Sequence, residues 1–284
     1  MNKKYVALLG LLNGVLFIAA CGGGGSSDSG AAAPEVSAPM FTGAVSAPLD
    51  TSNGVRTIYQ RADGSGLTSE AVVQESHGAI AQFASCRMTG NYGAKEISGN
   101  AWFAMGRWTS GVRECTDSDT GKVLLDDLSL YGDSIHYVVA VPVKVAFANY
   151  GGGSPVACTD YAVTRATLKS GSSGSFDPST RNVVISNGKI VFDSTGNAHV
   201  EFDVAAGVGS GVSRKTYDAS LKWFDGSGYS YGISGVKGVS SRGLGPDGVV
   251  SLGGHGGDGV IVGGTYVVEV SSAKYLGAFT MLCR

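Results

Sequence analysis

Apolar and polar residues alternate along most of this chain with a period of two. In "HVEFDV" (199–204), Val200, Phe202 and Val204 fall on one face, and His199, Glu201 and Asp203 on the other. In "SIHYVVAVPV" (134–143), Tyr137, Val139, Val141 and Val143 oppose His136, Val138 and Ala140. Such alternation marks strands with one buried face. Further short β-rich runs are "VRTIYQ" (55–60), "AVVQES" (71–76), "AIAQFAS" (79–85), "DYAVTRATL" (160–168) and "NVVISNGKIVFD" (182–193). "RKTYDASLKWF" (214–224), "YSYGISGV" (229–236), "GVIVGGTYVVEV" (259–270) and "KYLGAFTML" (274–282) follow. Turn chemistry punctuates them in "FDPST", "SNG", "STGN", "FDGSG" and "GPDG". No amphipathic helix is legible after residue 20. Many short strands at close spacing predict an all-β fold, a closed antiparallel barrel or a sandwich.

Composition points the same way. Glycine supplies 45 of the 284 residues, about twice the usual ~7% share, and that level breaks helices and feeds tight turns. Glycines inside strands, such as Gly106, Gly232, Gly263 and Gly264, suit the bulges and coiling of a small barrel. A membrane-spanning barrel is disfavoured, because its outward faces carry apolar bands and the face of His199, Glu201 and Asp203 is charged. The formal net charge of −2 argues against nucleic acid as a partner, since phosphate binding needs a basic stripe.

The N-terminus has its own pattern. Asn2-Lys3-Lys4 is a short basic region, Tyr5 to Ile18 is mostly apolar, and Ala19-Ala20 is a small-residue cleavage site. That is a secretory signal, too short for a spanning helix. Ile18-Ala19-Ala20-Cys21 resembles the lipobox of bacterial lipoproteins, with Ile18 where Leu is more usual. The resemblance implies lipid attachment at Cys21, and several acyl chains give stable membrane anchoring where one gives only marginal binding. Gly22, in place of Asp, favours the outer membrane over inner-membrane retention. Residues 21–48 are rich in Gly, Ser, Ala and Pro and read as a flexible tether. The remaining cysteines are Cys86, Cys115, Cys158 and Cys283. An even number in an exported chain implies two disulfides with three possible pairings. Cys86–Cys115, stapling neighbouring segments, and Cys158–Cys283, tying down the last strand, are the preferred pair.

"WFAMGRWTSG" (102–111), "IHYVVAVP" (135–142) and the closing "YSYGISGVKG…GLGPDG…VGGTYVVEV…LGAF" resemble the transferrin-binding-protein-like barrels, a group of bacterial surface lipoproteins. Their poly-Gly stretch after the acylated cysteine is matched here too. Leu244, in "SSRGLGP", stands near a turn where the family often has Phe or Tyr, and "SLGGHGGDG" is an extra segment. The resemblance implies an up-and-down antiparallel barrel of about eight strands over 100–284, preceded by a small β region at 49–99 and stabilised by disulfides. It implies a non-enzymatic, surface-exposed outer-membrane protein that binds a host or environmental protein, or its iron or haem cargo. The alternative is a periplasm-facing structural or assembly lipoprotein.

Candidate chemistry is sparse. "GGHGGDGVI" (253–261) fits one copy of a calcium-binding nonapeptide, but a β-roll needs stacked copies, so a glycine-rich hairpin is the expectation. "HGG" lacks the G-x-S-x-G elbow an esterase requires. The histidines, His77, His136, His199 and His255, show no paired metal spacing. His255 on its glycine loop, with Tyr229 and Tyr231, forms the candidate ligand loop, because haem iron needs only one or two axial His or Tyr. Trp102 and Trp108, six residues apart, are expected on one side of a strand, in the core. "CTDSDTGKVLLDDL" (115–128), with Asp117, Asp119, Asp126 and Asp127, reads as a solvated loop around a short run.

Overall fold

The computed structural model describes residues 45–284, except 53, 62–63, 69–70, 118, 129–133, 142–152, 171–182, 193–196, 207–212, 223–233, 236, 239–248, 256–258 and 271–272. The described chain is all β, in two curled antiparallel sheets. The first contains β1 (Arg56–Arg61), β2 (Gly64–Thr68), β3 (Val72–Gln74), β4 (Ile80–Phe83), β5 (Cys86–Gly99), β6 (Phe103–Thr116), β7 (Val123–Asp127) and β8 (Ile135–Ala140). Its order is β2-β1-β8-β6-β5-β4-β3, with β7 added on β6. β3 to β7 pair in sequence order, whereas β8 skips β7 to pair with β6 and returns on its other side to β1. Between β2 and β3 the sequence of pairings is interrupted. The β5–β6 hairpin spans residue 100, so residues 56–99 share one sheet with 103–140.

The second sheet contains β9 (Val156–Val163), β10 (Thr167–Ser170), β11 (Val183–Phe192), β12 (Asn197–Ala206), β13 (Ser213–Lys222), β14 (Ser234–Gly235), β15 (Lys237–Gly238), β16 (Val249–His255), β17 (Gly259–Val270) and β18 (Ala273–Cys283). Its order is β14-β16-β17-β18-β9-β11-β12-β13-β15, with β10 on β18. The two ends of that order, β14 and β15, are separated in sequence by residue 236 alone. Counting the two as one position in that order, the pairings run around an antiparallel ring of eight positions, the last strand β18 lying against the first, β9. The all-β fold and both preferred disulfides, Cys86–Cys115 and Cys158–Cys283, are thus present.

Period-two alternation fills each sheet. Val200, Phe202 and Val204 are fully buried, with Tyr217, Val262, Tyr266, Val268, Tyr275 and Phe279 in the same core. Phe202 stacks on Tyr217 at 5.1 Å and tilts against Phe279 at 4.6 Å. The opposite face of β12 is solvated, and there Lys189 meets Glu201 at 3.0 Å and His199 meets Asp218 at 3.1 Å. "SNG" is not a turn between strands. It lies within β11, where the register shifts between Ser186 and Lys189 and Asn187 takes a φ of 54°.

The first sheet closes around Trp108, Tyr137, Phe83, Ile135 and Val139. Trp108 stacks on Phe83 at 5.0 Å, and its Nε1–H donates to the Ile80 carbonyl at 2.7 Å. The Ile80 N–H donates to the Tyr137 hydroxyl at 3.3 Å. Both backbone groups of Ile80 are therefore satisfied by buried aromatic tips, which draws β4 onto the core.

β8 departs from the expected half-buried strand, since all six of its residues are buried. Tyr137 and Val139 face the first core, while Val138, with Met105 of β6, packs with Ala162 and Ala278 of the second sheet. Gly263 makes that approach possible, because a Cβ there would stand 2.7 Å from Val138 Cγ1. Before β1, residues 45–50 strap across the first sheet. Ser46 N–H donates to the Gly99 carbonyl at 3.0 Å and Leu49 N–H to Gln74 Oε1 at 2.8 Å. Val45 occupies the space that a side chain at Gly78, with φ 94°, would need.

Candidate functional site

Cys21, Tyr229 and Tyr231 lie outside the described residues. His255 ends β16, its backbone opposite Gly259; its side chain is also outside the described set. Trp108 is wholly buried, and Trp102, at the bend before β6, packs half-buried against the same core. His77 is exposed, 4.0 Å from Glu75. Among the described residues, no three His, Cys, Asp or Glu side chains gather as a metal site.

Sequence reasoning passed over His136. It lies on the face of β8 turned toward the second sheet and is completely buried. Its Nδ1 is 2.7 Å from the Thr164 hydroxyl and its Nε2 is 2.8 Å from the Thr167 hydroxyl. Thr164 also accepts from the Ala278 N–H at 2.8 Å, and the Tyr266 hydroxyl donates to the Thr164 carbonyl at 3.2 Å. On β6, Arg107 grips Glu96 with two bonds, at 2.7 and 2.8 Å, and donates to Ser134 at 3.3 Å. Burial, reinforced by the Arg107 charge, holds the imidazole well below its ordinary pKa, so it is neutral. Burial likewise pushes the Tyr266 phenol well up. A neutral imidazole between two hydroxyls, with both ring nitrogens occupied, is a polar rivet between the sheets. Alternation alone gave no warning of it, because a lone His on a strand face reads as solvated.

The accessible chemistry sits at the far end of the first sheet. The Cys86–Cys115 disulfide fixes β5 to β6 there, and the register sets a row across five strands: Val73, Gln82, Arg87, Glu114 and Leu125. Phe83 and Met88, their neighbours in β4 and β5, point into the core, which turns this row outward. Arg87 and Glu114 pair at 2.7 Å beside a hollow of about 380 Å³ lined by Gln82, Ser85 and Thr116 as well. Val73 is 52% and Leu125 68% exposed, at opposite ends of the row. A second cleft, of about 610 Å³, runs between the 45–48 strap and the turn at Glu75, Ser76 and His77.

The expected solvated loop at 115–128 is corrected by this geometry. Asp117 caps the tight turn, its carboxylate accepting from the Thr120 N–H at 2.7 Å and the Thr120 hydroxyl at 2.8 Å. Val123–Asp127 then pairs along β6 as strand β7, and Asp126 meets Arg113 at 3.1 Å. The three apolar residues Val123, Leu124 and Leu125 were the available signal, outweighed by the aspartates around them. No protein-family model matches this chain, and no curated protein is significantly similar to it.

Proposed function

We propose that this chain is a lipid-anchored outer-membrane lipoprotein, displayed at the cell surface, that binds a protein partner or its iron or haem cargo without catalysis. The observation that carries the proposal is Cys21 behind a signal-like apolar run, in a chain whose other four cysteines are paired, a pattern that suits an exported protein. The resemblance of "WFAMGRWTSG" and the closing strands to transferrin-binding-protein-like barrels belongs to the same proposal. Rigid sheets with filled cores suit recognition by edges and connections, where binding residues concentrate. The outward row from Val73 to Leu125 offers a charged pair flanked by apolar side chains, the mixture typical of a protein-binding patch.

The test is Cys21→Ala in cells fed labelled palmitate. Wild type takes up label and fractionates with the envelope; the variant does neither. Envelope association of an unlabelled variant at wild-type level overturns the anchor. Protease added to intact cells separates surface display, where the domain is cut, from the periplasm-facing alternative, where it is protected until the outer membrane is opened. Haem titration read at the Soret band tests the cargo and the roles of His255, Tyr229 and Tyr231; an unchanged spectrum removes them.

A further inference from the structure

β7 is held on one side only. It pairs with β6 from Val112 to Thr116, and among the described strands none pairs its other edge. Its residues Val123, Leu124 and Leu125 are 48%, 52% and 68% exposed. An exposed apolar edge strand is a template for another strand, and native proteins generally blunt such edges. The Asp117 N–H donates to the Lys122 carbonyl at 2.8 Å, so 117 and 122 form a hydrogen-bonded pair. Antiparallel pairs alternate. Leu124 therefore turns its backbone groups toward β6, and Val123 and Leu125 turn theirs toward the open edge.

We propose that this edge binds the same edge of a second copy of the chain, antiparallel and centred on Leu124. Only registers that set outward-facing residues opposite one another form ladder bonds. Centred on Leu124, Val123 faces Leu125 of the second copy and Leu125 faces its Val123, each as a hydrogen-bonded pair. Leu124 faces its own copy across the axis as a non-hydrogen-bonded pair, where side chains come closest. The same register sets Lys122 opposite Asp126 of the second copy, an aspartate already fixed in place by Arg113. Centring on Leu125 would set Leu124 against Asp126 and Val123 against Asp127. Centring on Val123 would set Leu124 against Lys122. The Leu124-centred register alone pairs apolar with apolar and lysine with aspartate.

The Cys86–Cys115 bond keeps this edge in shape, since Cys115 is the direct cross-strand neighbour of Leu124. One short strand from each copy makes a small interface, so the association is transient and concentration-dependent. It is independent of the anchor and of any ligand.

The experiment uses the full chain in mild detergent, with energy transfer measured between donor-labelled and acceptor-labelled copies. Wild type shows transfer that rises with concentration. Leu124→Lys and Leu124→Glu, each placing like charges on the axis, lose it when measured alone, and an equal mixture of the two recovers it. Leu125→Pro, which removes an N–H aimed away from β6, also loses it while circular dichroism stays unchanged. Absence of transfer in wild type, or transfer equal to wild type in all three variants as micelle sharing would give, overturns the proposal. Failure of the Lys and Glu mixture to recover transfer overturns the register.

Discussion

The two sheets solve the same problem differently. In the second, the pairings run from β9 to β15 on one side and from β9 through β18 to β14 on the other, β14 and β15 are adjacent in sequence, and Cys158–Cys283 locks the first and last strands together. In the first, the pairings stop between β2 and β3, and one hairpin carries β7 off the main path of strands. Both have dense aromatic cores. The difference lies in what is left over: among the described strands, the long ones of the second sheet each pair on both sides, whereas the first keeps an exposed apolar edge and an outward charged row. An exposed apolar edge is the kind of strand that accepts another strand.

The disulfides sharpen that contrast most. Cys158 and Cys283 are 125 residues apart, Cys86 and Cys115 only 29. In the chain-entropy picture, removing the first pair by double alanine substitution lowers unfolding free energy by about 5 kcal/mol, and removing the second by about 3.5 kcal/mol. Urea unfolding of the two double variants checks the order. A larger loss from the Cys86 and Cys115 variant would mean the first sheet, not the ring, carries the stability.

The junction between the sheets is the next place to break. Gly263→Ala drives a methyl group against Val138, and overpacking of this kind costs about 1–3 kcal/mol. Thermal unfolding should show a lower midpoint, with Val138→Ala added to Gly263→Ala recovering part of the loss.

A smaller effect, visible only in acid, comes from His136. Its folded pKa is depressed, so below about pH 6.5 the unfolded chain takes up a proton that the folded chain refuses. The stability contribution is complete above that pH and falls as pH drops, by up to about 1.4 kcal/mol per unit. Arg107 faces the ring from β6, with Glu96 and Ser134 on it, and Thr164, Thr167 and Tyr266 come from the second sheet. Replacing His136 with Gln should flatten the decline between pH 6.5 and 5 in urea titrations; an unchanged slope would assign the acid sensitivity to other groups. Least of all, Val73→Ser on the outward row should change stability by no more than about 0.5 kcal/mol, which makes it a clean probe of partner binding.

How much of this was readable from sequence depends on what each strand faces. β12 was legible down to single residues, because one side meets the core and the other meets water. The disulfides were legible because an even set of four cysteines behind a signal-like segment and the position of Cys283 on the last strand narrowed the choice. β8 was half legible: Tyr137 and Val139 gave its inner face, but its outer face abuts a second sheet that no local pattern can announce. Residues 160–168 read as one strand, yet β9 ends at Val163 and β10 begins at Thr167, because Thr164 turns to bond Ala278. β7 was hidden by aspartates whose work is local, Asp117 in the turn and Asp126 on Arg113. Local composition reports the chemistry of a turn more loudly than that of the strand behind it.

The bond between Cys158 and Cys283 also makes the second half of the molecule a covalent loop. A protease that severs the backbone at any one point inside that loop produces two polypeptides that stay joined through sulfur. Nicked protein would run as a single species until reductant is added, so one cut in a connection of that loop would shed no fragment.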